Sequence, residues 1–172
     1  MHRNAGFSIY ELMVVIAIIA VLSAIAVPNM IGWRNRAKLG DGTRDLYSAF
    51  QLAKARAAKE NADVTLSFAP SGARDREYAL FIDDGSGTGD TDPADGIPDG
   101  AGNGIVDGTE TVFLTDRIPI GVRIENTNFG SNAVTFSGSG LPNGFGTVDI
   151  VNSAGERRSL VLSLAGRVRI QY

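Results

Sequence analysis

The first third of the chain contains a long apolar run. Residues 12–27 read LMVVIAIIAVLSAIAV, in which Ser23 alone is polar, and extension back to Phe7 gives 21 residues. As an α-helix this segment would be about 31 Å long, which matches the hydrocarbon thickness of a bilayer. We therefore expect residues 7–27 to form a helix that crosses a membrane.

Beyond Pro28 the pattern becomes amphipathic. From residue 43 onward, apolar side chains recur at helical spacing along one stripe. They are Leu46, Phe50, Ala53 and Ala57. We expect residues 28–61 to extend the helix, which ends near Asn61, and the stripe to pack onto a β-sheet.

The remaining residues, 62–172, show the short alternating segments that are typical of strands. Such segments, separated by Gly, Asn and Pro, cover residues 64–68, 78–82, 111–115, 122–125, 133–136, 147–151, 159–163 and 167–172. Residues 152–155 predict a hairpin connection. The expected fold class is α+β, with a long N-terminal helix packed against an antiparallel β-sheet or a two-sheet domain.

Charge is distributed unevenly along this domain. Residues 83–110 hold eight of the 19 acidic residues and none of the 16 Lys and Arg, so the rest of the chain has 16 basic and 11 acidic residues. The body of the protein is therefore mildly basic, and one Gly-rich segment is strongly acidic.

The composition excludes several kinds of catalytic site. The chain has no cysteine, and its single histidine is His2. Thiolate zinc sites, Cys nucleophiles and Ser-His-Asp triads within the domain are therefore excluded. We expect a protein that is not an enzyme.

Glu11 lies near the start of the apolar run. A carboxylate in the middle of a bilayer costs about 2.5–3.5 kcal/mol, and less near an end, so such a residue is expected to have a function. A free α-amino group at Phe7 would compensate this charge if the chain were cut between Gly6 and Phe7. The alternative is that Glu11 only reaches to the membrane surface.

Residues 6–11, Gly-Phe-Ser-Ile-Tyr-Glu, resemble the prepilin peptidase site of type IV pilins and type II secretion pseudopilins. The resemblance implies cleavage after Gly6, N-methylation of Phe7, and an assembly role for Glu11, which would neutralise the Phe7 amine of a neighbouring subunit. In a low-dielectric filament core this pairing would fix the axial register between subunits. Pro28 stands where the family often has a helix-kinking proline.

An ordinary signal peptide is the alternative interpretation of the apolar run, but its apolar core is shorter, about 7–15 residues. The basic residues do not predict which end of the helix lies in the cytoplasm, because Arg3 precedes the helix while Arg34, Arg36 and Lys38 follow the apolar run. The resemblance implies a leader of residues 1–6 and a single pass through the inner membrane. It also implies that the C-terminal domain lies in the periplasm and later in a pilus or pseudopilus.

The C-terminal part of the chain points to one family among these pilin-like proteins. Residues 146–150 (GTVDI), 160–163 (LVLS) and 166–170 (GRVRI) are similar to the GspH/FimT family of minor pilins and minor pseudopilins. Residues 83–110 lie outside this resemblance and look like an insertion.

Part of this insertion partly fits the twelve-residue calcium loop. Asp99, Asn103, Asp107 and Glu110 stand at positions 1, 5, 9 and 12, whereas Ala101 stands at position 3, where a ligand is expected. Calcium bound by these four residues is one hypothesis, and the only one for a cofactor. A solvated surface loop is the equal alternative.

Four arginines, at 157, 158, 167 and 169, lie close together near the C-terminus. In a strand, Arg167 and Arg169 would share one face, and a pair of guanidinium groups suits phosphate. The resemblance adds that some FimT-like minor pilins bind DNA with this segment. Related pseudopilins without a DNA role have similar C-termini, which favours a solvated strand face or salt bridges to other subunits.

These observations predict a minor pilin or pseudopilin that is processed by prepilin peptidase. It would assemble with other pilin or pseudopilin subunits at the inner membrane and help to initiate or cap a filament. A minor pilin that captures DNA through Arg167 and Arg169 is the alternative. A membrane-anchored hydrolase with paired carboxylates has little support, because the acidic residues cluster in a Gly-rich segment.

Overall fold

The computed structural model describes residues 8–68, 75–82 and 111–172. One long helix, α1 (Ile9–Glu60), precedes eight strands. The strands are β1 (Val64–Phe68), β2 (Glu77–Ile82), β3 (Thr111–Arg117), β4 (Val122–Thr127), β5 (Ala133–Phe136), β6 (Gly146–Asn152), β7 (Arg157–Leu162) and β8 (Val168–Gln171). A short 3₁₀ turn, Gly130–Asn132, leads into β5.

Helix α1 has a defined cap at each end. The Ser8 side chain accepts a hydrogen bond from the Tyr10 amide at 3.3 Å, which satisfies one of the free N–H groups of the first turn. Asn61 adopts a left-handed conformation with φ 50°, and its amide donates to the Ala57 carbonyl. The expected end of the helix near Asn61 is confirmed.

The strands form two antiparallel sheets. Sheet 1 has the order β3-β2-β1-β5 and sheet 2 the order β4-β6-β7-β8. In sheet 1, Leu66 of β1 lies opposite both Leu80 of β2 and Val134 of β5. In sheet 2, Leu160 of β7 lies opposite both Val148 of β6 and Ile170 of β8. The two-sheet form of the predicted fold is therefore confirmed.

The core lies between the second half of α1 and the two sheets. The four residues of the predicted stripe on α1 are all buried, as the sequence predicts. Phe50 is the centre of an aromatic cluster, with ring centroids 5.7 Å from Phe68, 6.3 Å from Phe129 and 6.5 Å from Phe136. Because these rings come from α1, β1, β5 and the segment before β5, the cluster joins the helix to sheet 1.

Gly146 at the start of β6 is required by this packing. A Cβ atom built on it would lie 2.5 Å from Cε1 of Phe129, a distance that real Cβ atoms do not adopt. The close approach places the Phe129 ring against the backbone of sheet 2.

The strand boundaries differ from the sequence prediction at the C-terminus. β7 begins at Arg157 rather than at residue 159, and β8 begins at Val168 rather than at Arg167. Gly166 has φ +70°, and the Arg167 carbonyl accepts from the Ser163 amide at 3.0 Å. Arg167 therefore belongs to the turn that joins the two strands. The predicted hairpin connection at residues 152–155 is confirmed, since Gly155 N donates to Asn152 O at 3.0 Å.

Candidate assembly surface

The first half of α1 is apolar and uncovered. Its large apolar side chains, from Ile9 to Trp33, are each 42–80% exposed. From Leu39 onward the pattern reverses, and the helix buries one face in the domain. The segment is long and apolar enough to cross a membrane. An uncovered apolar helix of this length requires a lipid or protein environment.

Glu11 lies in the first turn of α1, three residues beyond the Ser8 cap. Its side chain is exposed, and a carboxylate at this end interacts favourably with the helix dipole. Gly6 and Phe7, which form the expected cleavage and methylation site, lie outside the described residues. The pairing of Glu11 with a neighbouring Phe7 amine stays a prediction.

Pro28 lies inside α1, which continues on both sides of it. Proline lacks the amide hydrogen that would reach the carbonyl four residues earlier, so the helix has one fewer backbone hydrogen bond here. The expected helix extension beyond this residue is confirmed. The expected kink stays a prediction.

The base of the domain is joined to α1 by polar contacts that the sequence analysis missed. Arg36 Nε forms an ion pair with Glu156 Oε1 at 2.8 Å, and Glu156 Oε2 also accepts from Asn152 Nδ2 at 2.9 Å. Lys38 Nζ donates to the Ile120 carbonyl at 2.8 Å. The hydrogen bond from Arg36, with that from Asn152, lowers the pKa of Glu156 below its ordinary value of 4.5. These contacts join α1 to the base of the domain just before its buried half begins.

A second feature that the sequence analysis missed is a groove between α1 and the edge of sheet 1. Tyr78 Oη donates to Asp116 Oδ2 at 3.4 Å, and Asp45 of α1 lines the same groove. Burial, together with the nearby Asp116 charge, raises the pKa of Tyr78. Partial desolvation and the charges of Asp116 and Asp41 raise the pKa of Asp45. Contacts between residues so far apart in sequence leave no local pattern that would reveal them.

The four C-terminal arginines differ in their contacts. Arg157 Nε pairs with Glu125 Oε2 at 2.8 Å, and the Arg158 guanidinium lies 4.7 Å from the centre of the Tyr172 ring. Arg167 and Arg169 are exposed while Val168 and Ile170 are half-buried. Because Arg167 lies in the turn before β8, the shared strand face of the two arginines stays a prediction. Within the described part of the chain, neither Arg167 nor Arg169 forms an ion pair.

The four predicted calcium ligands, Asp99, Asn103, Asp107 and Glu110, lie outside the described residues. Within residues 8–68, 75–82 and 111–172, no group of three or more His, Cys, Asp or Glu side chains is placed to hold a metal ion. The calcium hypothesis therefore stays a prediction.

Comparison with family models gives two matches. Residues 42–166 match the family described as type II transport protein GspH, which covers most of the β-domain and the buried part of α1. Residues 1–27 match the prokaryotic N-terminal methylation motif.

Two pilins match over short segments. The type IV major pilin protein PilA of Myxococcus xanthus is 42% identical over 52 residues, which cover 30% of this chain and 24% of that protein. The type IV wide pilus major component PilA4 of Thermus thermophilus is 56% identical over 36 residues, which cover 20% of this chain and 28% of that protein. The chain thus spans about a quarter of the length of these relatives.

Solved structures resemble the chain over most of its length. The type IV minor pilin FimU of Pseudomonas aeruginosa has a TM-score of 0.57 at 13% identity, covering 81% of this chain and 92% of that chain. The minor pseudopilin EpsH of the type 2 secretion system of Vibrio cholerae has a TM-score of 0.50 at 13% identity, covering 78% and 96% respectively. Identities this low establish the fold alone: a long N-terminal helix with two antiparallel sheets. With the family match over residues 42–166 and the methylation motif over residues 1–27, this chain belongs to the family of type II transport protein GspH, which consists of non-enzymatic pilin-like subunits.

Proposed function

We propose that this protein is a membrane-anchored subunit that prepilin peptidase cuts after Gly6 and that assembles with other pilin or pseudopilin subunits. The observation that carries the proposal is the contrast between the two halves of α1. The half before Leu39 exposes its apolar side chains, whereas the half after it is packed into the domain. In the membrane, lipid would cover the exposed half; in a filament, the same half of neighbouring subunits would do so.

The subunit is proposed to be a minor one that helps to initiate or cap the filament. Support comes from the solved structures that share its fold, which are described as a minor pilin and a minor pseudopilin. Both a type IV pilus and a type II secretion pseudopilus fit the proposal. The β-domain would lie in the periplasm before assembly.

A leader variant tests the proposal. Gly6→Ala should leave the chain uncleaved and absent from filaments, because the free Phe7 amine that pairs with Glu11 is never produced. Gly144→Ala, which adds the same methyl group at an open position in the loop before β6, should be processed and assembled normally. Normal assembly of the uncleaved Gly6→Ala chain would refute the proposed mechanism.

The number of copies of this chain in a filament tests whether it is a minor subunit. Quantitative mass spectrometry of purified filaments should find far fewer copies of this chain than of the major subunit, and deletion should reduce the number of filaments more than their length. An amount equal to that of the main component would make it a major subunit instead.

Duplex DNA capture remains a second hypothesis, without support from the comparisons. Its single favourable observation is that Arg167 and Arg169 are both exposed. DNA binding through phosphates would weaken steeply as salt increases. Fluorescence anisotropy across a salt series, with Arg167→Ala and Arg169→Ala as controls, tests it. Absence of binding at low salt would eliminate the hypothesis.

Calcium binding by residues 99–110 is a separate proposal. A cation would neutralise part of the like charge in this acidic segment. Calorimetric titration should detect heat of calcium binding, and calcium should raise the melting temperature. No heat and an unchanged melting temperature would refute it.

A further inference from the structure

The turn at residues 119–121 lies at the end of the β-domain where α1 enters it. Lys38 Nζ donates to the Ile120 carbonyl at 2.8 Å, and a Cβ atom built on Gly42 would lie 3.3 Å from Pro119 Cδ. The turn is therefore held against α1 between residues 38 and 42, immediately beyond the exposed apolar half of the helix.

Ile120 is a large apolar side chain that this turn leaves uncovered. It is 73% exposed, while its neighbours Ile118 and Val122 are buried. Gly121 follows it with φ +93°, a conformation that side-chain-bearing residues rarely adopt. The backbone of the turn is thus fixed by a glycine and by an ammonium group, and the apolar tip faces solvent.

The neighbouring part of α1 has the residues of a membrane interface. Trp33 is 69% exposed, and indole side chains favour the boundary between lipid and water. Arg34 follows it and forms no ion pair within the described part of the chain. Lys38 is five residues beyond Trp33, about 7.5 Å along the helix, and the headgroup layer is about 5–8 Å thick. Counted from Leu12, just beyond the charged Glu11, Trp33 lies 21 residues or about 31 Å along α1, so a bilayer core of that thickness ends at Trp33 and the turn lies at the headgroups.

We infer that, before assembly, the 119–121 turn rests on the bilayer surface, with Ile120 inserted among the phospholipid headgroups and Arg34 beside their phosphates. This inference rests on the membrane anchoring in the proposed function. Lipid is the favoured occupant because the turn packs on α1 directly beyond its apolar half, and because Lys38 contacts the turn and Arg34 lies one helical turn before Lys38. The contact would hold the domain at a fixed distance from the bilayer and at a fixed tilt to it until the subunit is incorporated into a filament.

The composition of the chain makes a direct test simple. The chain has no cysteine and one tryptophan, so a single introduced cysteine can carry an environment-sensitive fluorophore while Trp33 reports on the helix. Phe145 is a matched control, since it is 69% exposed and also lies in a loop. It precedes Gly146, which pairs with Leu162 at the opposite end of sheet 2 from the 152–155 hairpin.

The full-length variants Ile120→Cys and Phe145→Cys would be labelled and placed in vesicles of phosphatidylethanolamine and phosphatidylglycerol that contain a headgroup spin label. The label at position 120 should be quenched several times more strongly than the label at position 145. Adding Arg34→Gln should reduce the quenching at position 120, whereas Arg44→Gln, which removes the same charge from a residue paired with Asp41, should not.

Quenching of Trp33 fluorescence distinguishes failure of the inference about the turn from failure of the proposed membrane anchoring. If lipid quenches Trp33 but quenches positions 120 and 145 equally, the helix is anchored and the inference about the turn is wrong. If lipid does not quench Trp33, the anchoring itself is wrong, and with it the inference. A label at position 120 that neither lipid nor aqueous iodide quenches would show that protein covers the turn, which also overturns the inference.

Discussion

Arg36 and Glu156, 120 residues apart in the sequence, form an ion pair of 2.8 Å that joins α1 to the hairpin between β6 and β7. The exposed apolar half of the helix ends just before Arg36, and the buried half begins just after it. The ion pair therefore marks the junction between the exposed and the packed halves of α1.

The junction should respond to acid. The hydrogen bond from Arg36 lowers the pKa of Glu156, so the ion pair is fully formed above pH 4.5 and is lost as the pH falls through the lowered value. In Arg36→Gln, the pKa measured by NMR for the Glu156 carboxyl should return toward its ordinary value. Arg34→Gln is the control of equal charge change and should leave that pKa unchanged. An identical shift in both variants would show that Arg36 is not the cause.

Asp45 should be a destabilising residue at neutral pH. Its pKa is raised, so its ionised form is disfavoured in the folded protein. Asp45→Asn should increase the free energy of unfolding at neutral pH by about 0.5 kcal/mol, a small gain because the side chain is exposed. The gain should disappear as the pH falls below 3.8, where both states of the wild type are protonated.

Asp63→Asn is the control for Asp45→Asn, since it removes the same charge from an exposed position beyond the end of α1. Thermal unfolding across a pH series compares the two variants. Equal stabilisation by both would point to net charge rather than to the groove.

Phe50 should be essential for the stability of the domain. It is 1% exposed and contacts three other aromatic rings, so Phe50→Ala removes packing and leaves a cavity. We expect a loss of about 3–5 kcal/mol in the free energy of unfolding, measured by denaturant titration in detergent. The adjacent Gln51 is exposed, and Gln51→Ala should change stability by about 0.5 kcal/mol or less. Similar losses in the two variants would contradict the assigned core.

Much of this fold follows from local pattern. The α1 stripe and strands such as β5 and β8 have periodic apolar positions, and the structure confirms them because burial on one face imposes that period. The Arg36–Glu156 pair and the Asp45–Tyr78–Asp116 groove join distant parts of the chain, so no local pattern predicts them. The sequence predicts that β8 begins at Arg167, but the strand begins at Val168. The left-handed Gly166 and the hydrogen bond from the Ser163 amide to the Arg167 carbonyl place Arg167 in a turn.

Glu11 should be required for assembly and not for anchoring. Glu11→Gln keeps the size of the side chain but removes the charge that would pair with a neighbouring Phe7 amine. The variant should remain in the membrane and be cleaved, while its amount in filaments falls at least about tenfold, equivalent to about 1.4 kcal/mol. Normal incorporation would contradict the charge-pair mechanism. Ser23→Ala, a substitution inside the same apolar run, is the control and should assemble normally.

The state of the N-terminus tests the central claim most directly. Mass spectrometry of this chain from membrane and filament fractions, with and without active prepilin peptidase, identifies its first residue. The account predicts a chain that begins at N-methylated Phe7 and occurs in the filament fraction only when the peptidase is active. A chain that still begins at Met1 in filaments, or one cut after the apolar run and released as a soluble domain, would contradict it.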